Sequence, residues 1–197
     1  MSLGFTEKTL RQFVAEISDQ HYALTETVIA ASAAQAAALG EACMQISLDN
    51  QVDKLDWQDI TARIEQMSHI KDTLLEWCNQ EIAPVTTPPL SSEAGNMLPD
   101  NQQVLCDYSA EIGRFSVEAA LLLQDFRPFV FNPLRDDLEM TINLLTGVAQ
   151  AALLLLDSKL QRQSDRTILE EYGPLRDEIR DQIGRLELIK HLGIGQA

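Results

Sequence analysis

Between Ala30 and Leu39 the chain reads AASAAQAAAL, and this run limits the possible folds more than any other feature. Alanine is the best helix former, and side chains this small let neighbouring helix backbones come close together. A long helix from about Thr25 to Leu48 is therefore expected, packed tightly against its neighbours. A second run, MTINLLTGVAQAALLLL from Met140 to Leu156, carries no charge and is closed by Glu139 and Asp157. It falls slightly short of the ~20 residues a membrane span needs, and Thr141, Asn143, Thr146 and Gln150 interrupt it. It reads as the central helix of a bundle, with no membrane partner expected.

The other elements follow the same period. Leu10, Phe13, Val14 and Ile17 stand at i, i+3, i+4, i+7 and predict a short first helix. Ile60, Ile64, Met67, Ile70, Leu74 and Trp77 mark a third, with Asp56 as its N-cap. The stretch around 83–100, APVTTPPLSSEAGNMLPD, is rich in Pro, Ser and Gly and is expected to be an irregular loop. Asp100 with Gln103 resembles a capping box for a fourth helix through Leu123. Asn132 followed by Pro133 has the pattern of an N-cap and first position for the fifth. The sixth is expected from Asp165 to about His191, kinked or split at Gly173-Pro174. No segment alternates with period two. The expected fold is all-α: residues 1–197 as one domain, an orthogonal helical bundle of about six helices.

With 30 acidic against 15 basic residues the formal charge is -15. That surface repels nucleic acid, which binds proteins through Lys and Arg on its phosphates, and it disfavours anionic membranes. The three cysteines are far apart and form no CxxC, so free thiols in a reducing, cytoplasmic setting are expected. The opening MSLGFTEKTLRQF lacks the basic and apolar regions of a signal peptide.

Signatures of chemistry are sparse. There is no phosphate-binding glycine loop, HExxH or GxSxG. Glu65 precedes His69 by four residues rather than the three of a diiron ExxH pair, and nothing repeats it, so no metal is expected. Asp136 and Asp137 fall in the first turn of the fifth helix, where carboxylates favour the helix dipole. The same position gives Asp137 a second reading as a general acid or base, if it turns inward. His21 and Tyr22 lie between the first two helices, where an exposed hinge and a ligand contact are both open readings.

The order of these segments resembles the formiminotransferase-cyclodeaminase C-terminal family, which includes methenyltetrahydrofolate cyclohydrolases. TLRQFVAEIS is similar to that family's opening helix, and SAAQAAALGEACMQIS to its small-residue second helix. Asp136-Asp137 with LEMTINLLTGVAQAALLLLDSKL is similar to its late helix. The resemblance implies a tetrahydrofolate derivative as substrate, a homodimer, and Asp137 as the acid/base, matching the Asp of a family Ser-Asp pair that is Asp136-Asp137 here. It directs His21, Tyr22, Thr25, Asn132 and Asp136 toward the ligand. Two departures bear on activity. The family carries a Pro- and Gly-rich SPTPGGGS-like loop before the second helix, where this chain has QHYALTET, and Glu26 adds a negative charge there. The late-helix Asn positions hold Leu155 and Lys159. The expected function is thus that of a divergent folate cyclodeaminase or cyclohydrolase with a degenerate loop. The alternative is a non-catalytic helical interaction or assembly protein on the same scaffold.

Overall fold

The computed structural model describes residues 7–19, 25–50, 57–79, 99–162 and 165–187, with backbone alone at 99–102. The expected contributions of His21, Tyr22, Asp56 and the stretch around 83–100 lie outside the described residues, as do the side chain of Asp100 and the chain end near His191. What is described is an all-α bundle of α1 (Leu10–Asp19), α2 (Thr25–Asn50), α3 (Trp57–Asn79), α4 (Pro99–Phe126), α5 (Arg135–Gln161) and α6 (Arg166–Gly184). Two 3-10 turns, Arg127–Phe129 and Asn132–Leu134, join α4 to α5.

The small side chains of α2 do what their size allows. Ala30, Ala33, Ala37 and Gly40 are buried, and a Cβ at Gly40 would stand 2.9 Å from Leu123 Cδ1 on α4. The main core gathers Met44, Ile60, Met67, Ile70, Leu74, Ile112, Leu123, Phe126, Ile142 and Leu145 from α2 to α5. A smaller core of Cys106, Ala110, Leu156, Leu160, Ile168 and Tyr172 fixes α6 to α4 and α5. Helix α1 is amphipathic but has no buried residue.

Polar interruptions of the apolar helices are absorbed locally. Thr141 and Thr146 donate to Asp137 O and Ile142 O, and Ser116 donates to Ile112 O, each at 2.7 Å. A hydroxyl that bonds the carbonyl one turn back can be buried without an orphaned donor. Ser47 donates to Cys43 O at 2.7 Å and accepts from Phe131 N at 2.9 Å, tying the end of α2 to the segment before α5. Helices α2, α4 and α6 therefore begin at the end of the bundle where α3 and α5 finish.

Three local expectations are corrected. Asn132 does not cap α5: Asn132 and Pro133 form a 3-10 turn closed by Leu134 N–H to Phe131 O at 2.8 Å, and α5 starts at Arg135. Proline's fixed φ suits either helix type, so the pattern could not distinguish them. Of the kink or split expected at Gly173-Pro174, the split does not occur: α6 is continuous around Pro174, with Tyr172 and Ile179 buried on either side. Helix α6 also ends earlier, at Gly184. Its start agrees with expectation: the Asp165 carboxylate accepts from Thr167 N–H at 2.9 Å.

Candidate functional site

Two of the singled-out groups lie at opposite ends of the bundle. Thr25, half-buried, opens α2. Asp136 and Asp137 open α5 and are exposed, as is Asn132. Along α5, at about 1.5 Å per residue, Asp137 stands ~33 Å from Lys159, which reaches the start of α2. Within one protomer Asp137 and Thr25 do not share a site. Asp137 neighbours Cys43, whose thiol is pushed up by burial and then by the Asp137 charge.

The start of α2 holds the most organised polar centre. Lys159 Nζ lies 2.8 Å from Glu26 Oε1 and donates to Leu105 O at 2.6 Å and Ser109 Oγ at 2.7 Å. Three acceptors match the three N–H donors of an ammonium group. The pair is largely desolvated, with 19% of the Lys159 side chain and 12% of Glu26 exposed. Geometry explains the convergence: Glu26 is in the first turn of α2, Lys159 in the last turn of α5, and Leu105 and Ser109 are one turn apart on α4. Each charge also suits its helix end, an acid at the N-terminus and a base at the C-terminus.

The surroundings hold their protons. Tyr108 packs edge-on against Trp77, with ring centroids 4.5 Å apart, and burial followed by the Cys78 and Glu26 charges pushes its phenol up to about 12. Cys78 is pushed up to about 11 by burial. Cys106 is also raised by burial, with the Lys159 charge pulling the other way. On the α6 side Tyr172 donates to Asp107 Oδ1, and burial raises its phenol further still. Among the described residues no buried side-chain polar atom lacks a partner, and no group of three or more His, Cys, Asp or Glu is placed to hold a metal.

The other end is braced by a different pair. Arg127 grips Glu139 through two bonds of 2.7 and 2.8 Å and donates to Glu187 O at 2.6 Å. A groove of about 550 Å³ runs between α3, α4 and α6, lined by residues that include Asp59, Arg63, Gln66, Arg114, Glu118 and Glu178. Its arginines are engaged, Arg63 with Asp59 at 2.9 Å and Arg114 with Glu111 at 2.6 Å, so the groove offers an incoming anion little uncommitted positive charge.

No family model and no curated protein matches the sequence. Solved structures do match. The chain is similar to formiminotetrahydrofolate cyclodeaminase from Thermotoga maritima, with a TM-score of 0.78, 91% of each chain covered and 16% identity. The chain has the cyclodeaminase fold. The segment order in the sequence had pointed to this fold, and the likeness spans nearly the whole bundle rather than one helix pair.

Sequence reasoning had marked Glu26 and Lys159 as departures from the family pattern. It did not pair them, because 26 and 159 are distant in sequence and meet only when α2 and α5 are laid antiparallel. The usable signal was that two of the departures carry opposite charges, an acid at the start of α2 and a base on the late helix.

Proposed function

We propose that this chain binds a reduced folate or a related pterin at the end of the bundle where α2 begins, with Glu26 as the recognition carboxylate. The observation that carries this reading is the Glu26–Lys159 pair, held on α4 by Leu105 O and Ser109, within a fold similar to that of a formiminotetrahydrofolate cyclodeaminase. A 2-amino-4-oxo pterin presents adjacent N–H donors, which suit the two oxygens of a carboxylate as a bidentate, charge-assisted pair. Lys159 would then hold Glu26 in place and offset its charge. Tyr108, protonated up to about pH 12, adds a ring close by.

The proposal is of binding. Ring closure with ammonia loss, or hydrolysis of a methenyl bridge, needs a positioned acid or base near the bridge carbon. Asp137 is at the far end of the same protomer, and the three donors of Lys159 already have acceptors. The test is a titration with 5-formyltetrahydrofolate, a stable reduced folate, on wild type, Glu26→Gln and Asp137→Ala, run beside an assay of methenyltetrahydrofolate loss. Saturable binding, weakened at least tenfold by E26Q and unchanged by D137A, is expected, with methenyl loss at the blank rate. Absence of binding by wild type, or equal binding by E26Q, would refute the reading. Methenyl loss abolished by D137A would return the chemistry to Asp137.

A second reading, a non-catalytic helical assembly protein, is favoured by the charge-free run of α5 from Met140 to Leu156, on which Met140, Leu144 and Leu154 are exposed. It does not exclude the first.

A further inference from the structure

Tyr172 of α6 touches neither Glu26 nor Lys159, yet it bonds the turn of α4 that holds the lysine. Its ring is buried, and its phenol donates to Asp107 Oδ1. Burial and then the Asp107 carboxylate raise that phenol, so it keeps its proton and remains the donor. A second contact runs beside it, from Gln103 Nε2 to Glu171 Oε2 at 3.5 Å. Both join α6 to the early turns of α4.

Asp107 sits midway along the turn whose ends, Leu105 O and Ser109 Oγ, accept from Lys159 at 2.6 and 2.7 Å. At about 100° per residue it stands roughly half a turn round α4 from both of them. Within one turn, α4 is thus gripped from opposite sides, by Lys159 of α5 and by Tyr172 of α6. Cys106, buried in the same small core as Tyr172 and Leu160, lies close enough to Lys159 to feel its charge. A rotation of α4 by about 15° would carry atoms on its ~2.3 Å Cα radius by about 0.6 Å, and side-chain atoms further. Hydrogen bonds weaken steeply as they lengthen and bend, so such a rotation loosens both of the lysine's bonds to α4. The phenol's bond to a carboxylate is charge-assisted and therefore well suited to oppose it.

We propose that Tyr172 is a positioning residue for the Glu26–Lys159 centre: through Asp107 it fixes the rotation of the α4 turn that orients the lysine ammonium and, through it, the Glu26 carboxylate. This makes α6 a determinant of affinity at a centre built from α2, α4 and α5. The inference rests on reading that centre as a pterin site.

The test sets Tyr172→Phe, which keeps the ring in the core and removes only the donor, against Ile168→Val. The latter lies one turn earlier in the same small core, thins the packing and leaves the bond intact. Asp107→Asn is the second probe, because an amide oxygen still accepts from the phenol without the charge. Each full chain is titrated with 5-formyltetrahydrofolate. The Lys159 ammonium is followed separately by NMR without ligand, in protein carrying isotope-labelled lysine, its resonance assigned by its loss in Lys159→Met. Tyr172→Phe is expected to weaken binding about fivefold and to shift the Lys159 resonance, and Asp107→Asn to do both to a smaller degree. Ile168→Val should match wild type in both measurements, which a merely structural role for this core would not allow. Binding by Tyr172→Phe equal to that of wild type overturns the proposal, and so does an equal loss in Ile168→Val. If wild type binds no folate, the pterin reading fails by itself. The ammonium resonance then still decides the positioning role: a shift in Tyr172→Phe but not in Ile168→Val supports it, and an unmoved resonance overturns it.

Discussion

Replacing Lys159 by Met should cost the bundle about 2–3 kcal/mol. Removing one partner of a fully buried ion pair costs roughly 3–5 kcal/mol, because the other charge is left without compensation. The 19% and 12% exposure of the two side chains admits some water, which places the loss just below that range. Methionine fills the space of the lysine stem, so packing contributes little. Glu26→Gln is expected to cost less, about 1 kcal/mol, since Lys159 keeps Leu105 O and Ser109 and the amide oxygen still accepts. The double variant Lys159→Met/Glu26→Gln removes the stranded charge, so its loss should be smaller than the sum by about 1–2 kcal/mol. Urea unfolding at 25 °C followed by helical circular dichroism measures all three. In a chain of this length K159M corresponds to a fall in Tm of about 5–10 °C. A K159M variant within ~0.5 kcal/mol of wild type, or single losses that simply add, would refute the claim that the pair is a coupled, desolvated unit.

Gly40→Val should destabilise by about 3 kcal/mol in the same unfolding assay, because its Cβ alone would meet fully buried Leu123 at 2.9 Å. Stability should fall in alkali. Cys78 and Tyr108 keep protons to about 11 and about 12, while in the unfolded chain they titrate near 9.0 and 10.0. The folded state therefore binds more protons above pH 9, and stability that is full below that value is lost as pH rises through 11 to 12. Thermal melts between pH 8 and 11.5 check this, and Tyr108→Phe should lessen the slope. Asp137→Ala should change stability by no more than ~1 kcal/mol, as expected for an exposed acid in the first turn of a helix. A loss above 2 kcal/mol would show that Asp137 carries a role its surroundings do not reveal.

The helices were legible because apolar periodicity and helix propensity are local. The rows of α3, the alanine crowd of α2 and the Asp165 cap each act within one or two turns, and all agree with the structure. Where local patterns fit two conformations, the reading failed: Asn132-Pro133 suits a 3-10 turn as well as a helix start, and Pro174 removes one backbone bond without overcoming the burial of Tyr172 and Ile179. The candidate site was legible only as scattered residues. The helix-start position of Asp137 specifies a dipole partner but not what lies across from it, and its acid/base role rested on the resemblance.

By itself the sequence determined the all-α class, the six helices among the described residues to within their ends, and the net negative charge, since these depend on composition and on neighbours three or four residues away. Only the tertiary structure decided that Glu26 and Lys159 meet, that Asp137 stands at the other end from Thr25, and that Met140, Leu144 and Leu154 of α5 face outward. Those facts depend on how helices far apart in the chain are laid against one another. That arrangement is set by which small faces fit closely in the core, a property of shapes in contact rather than of residues in a row.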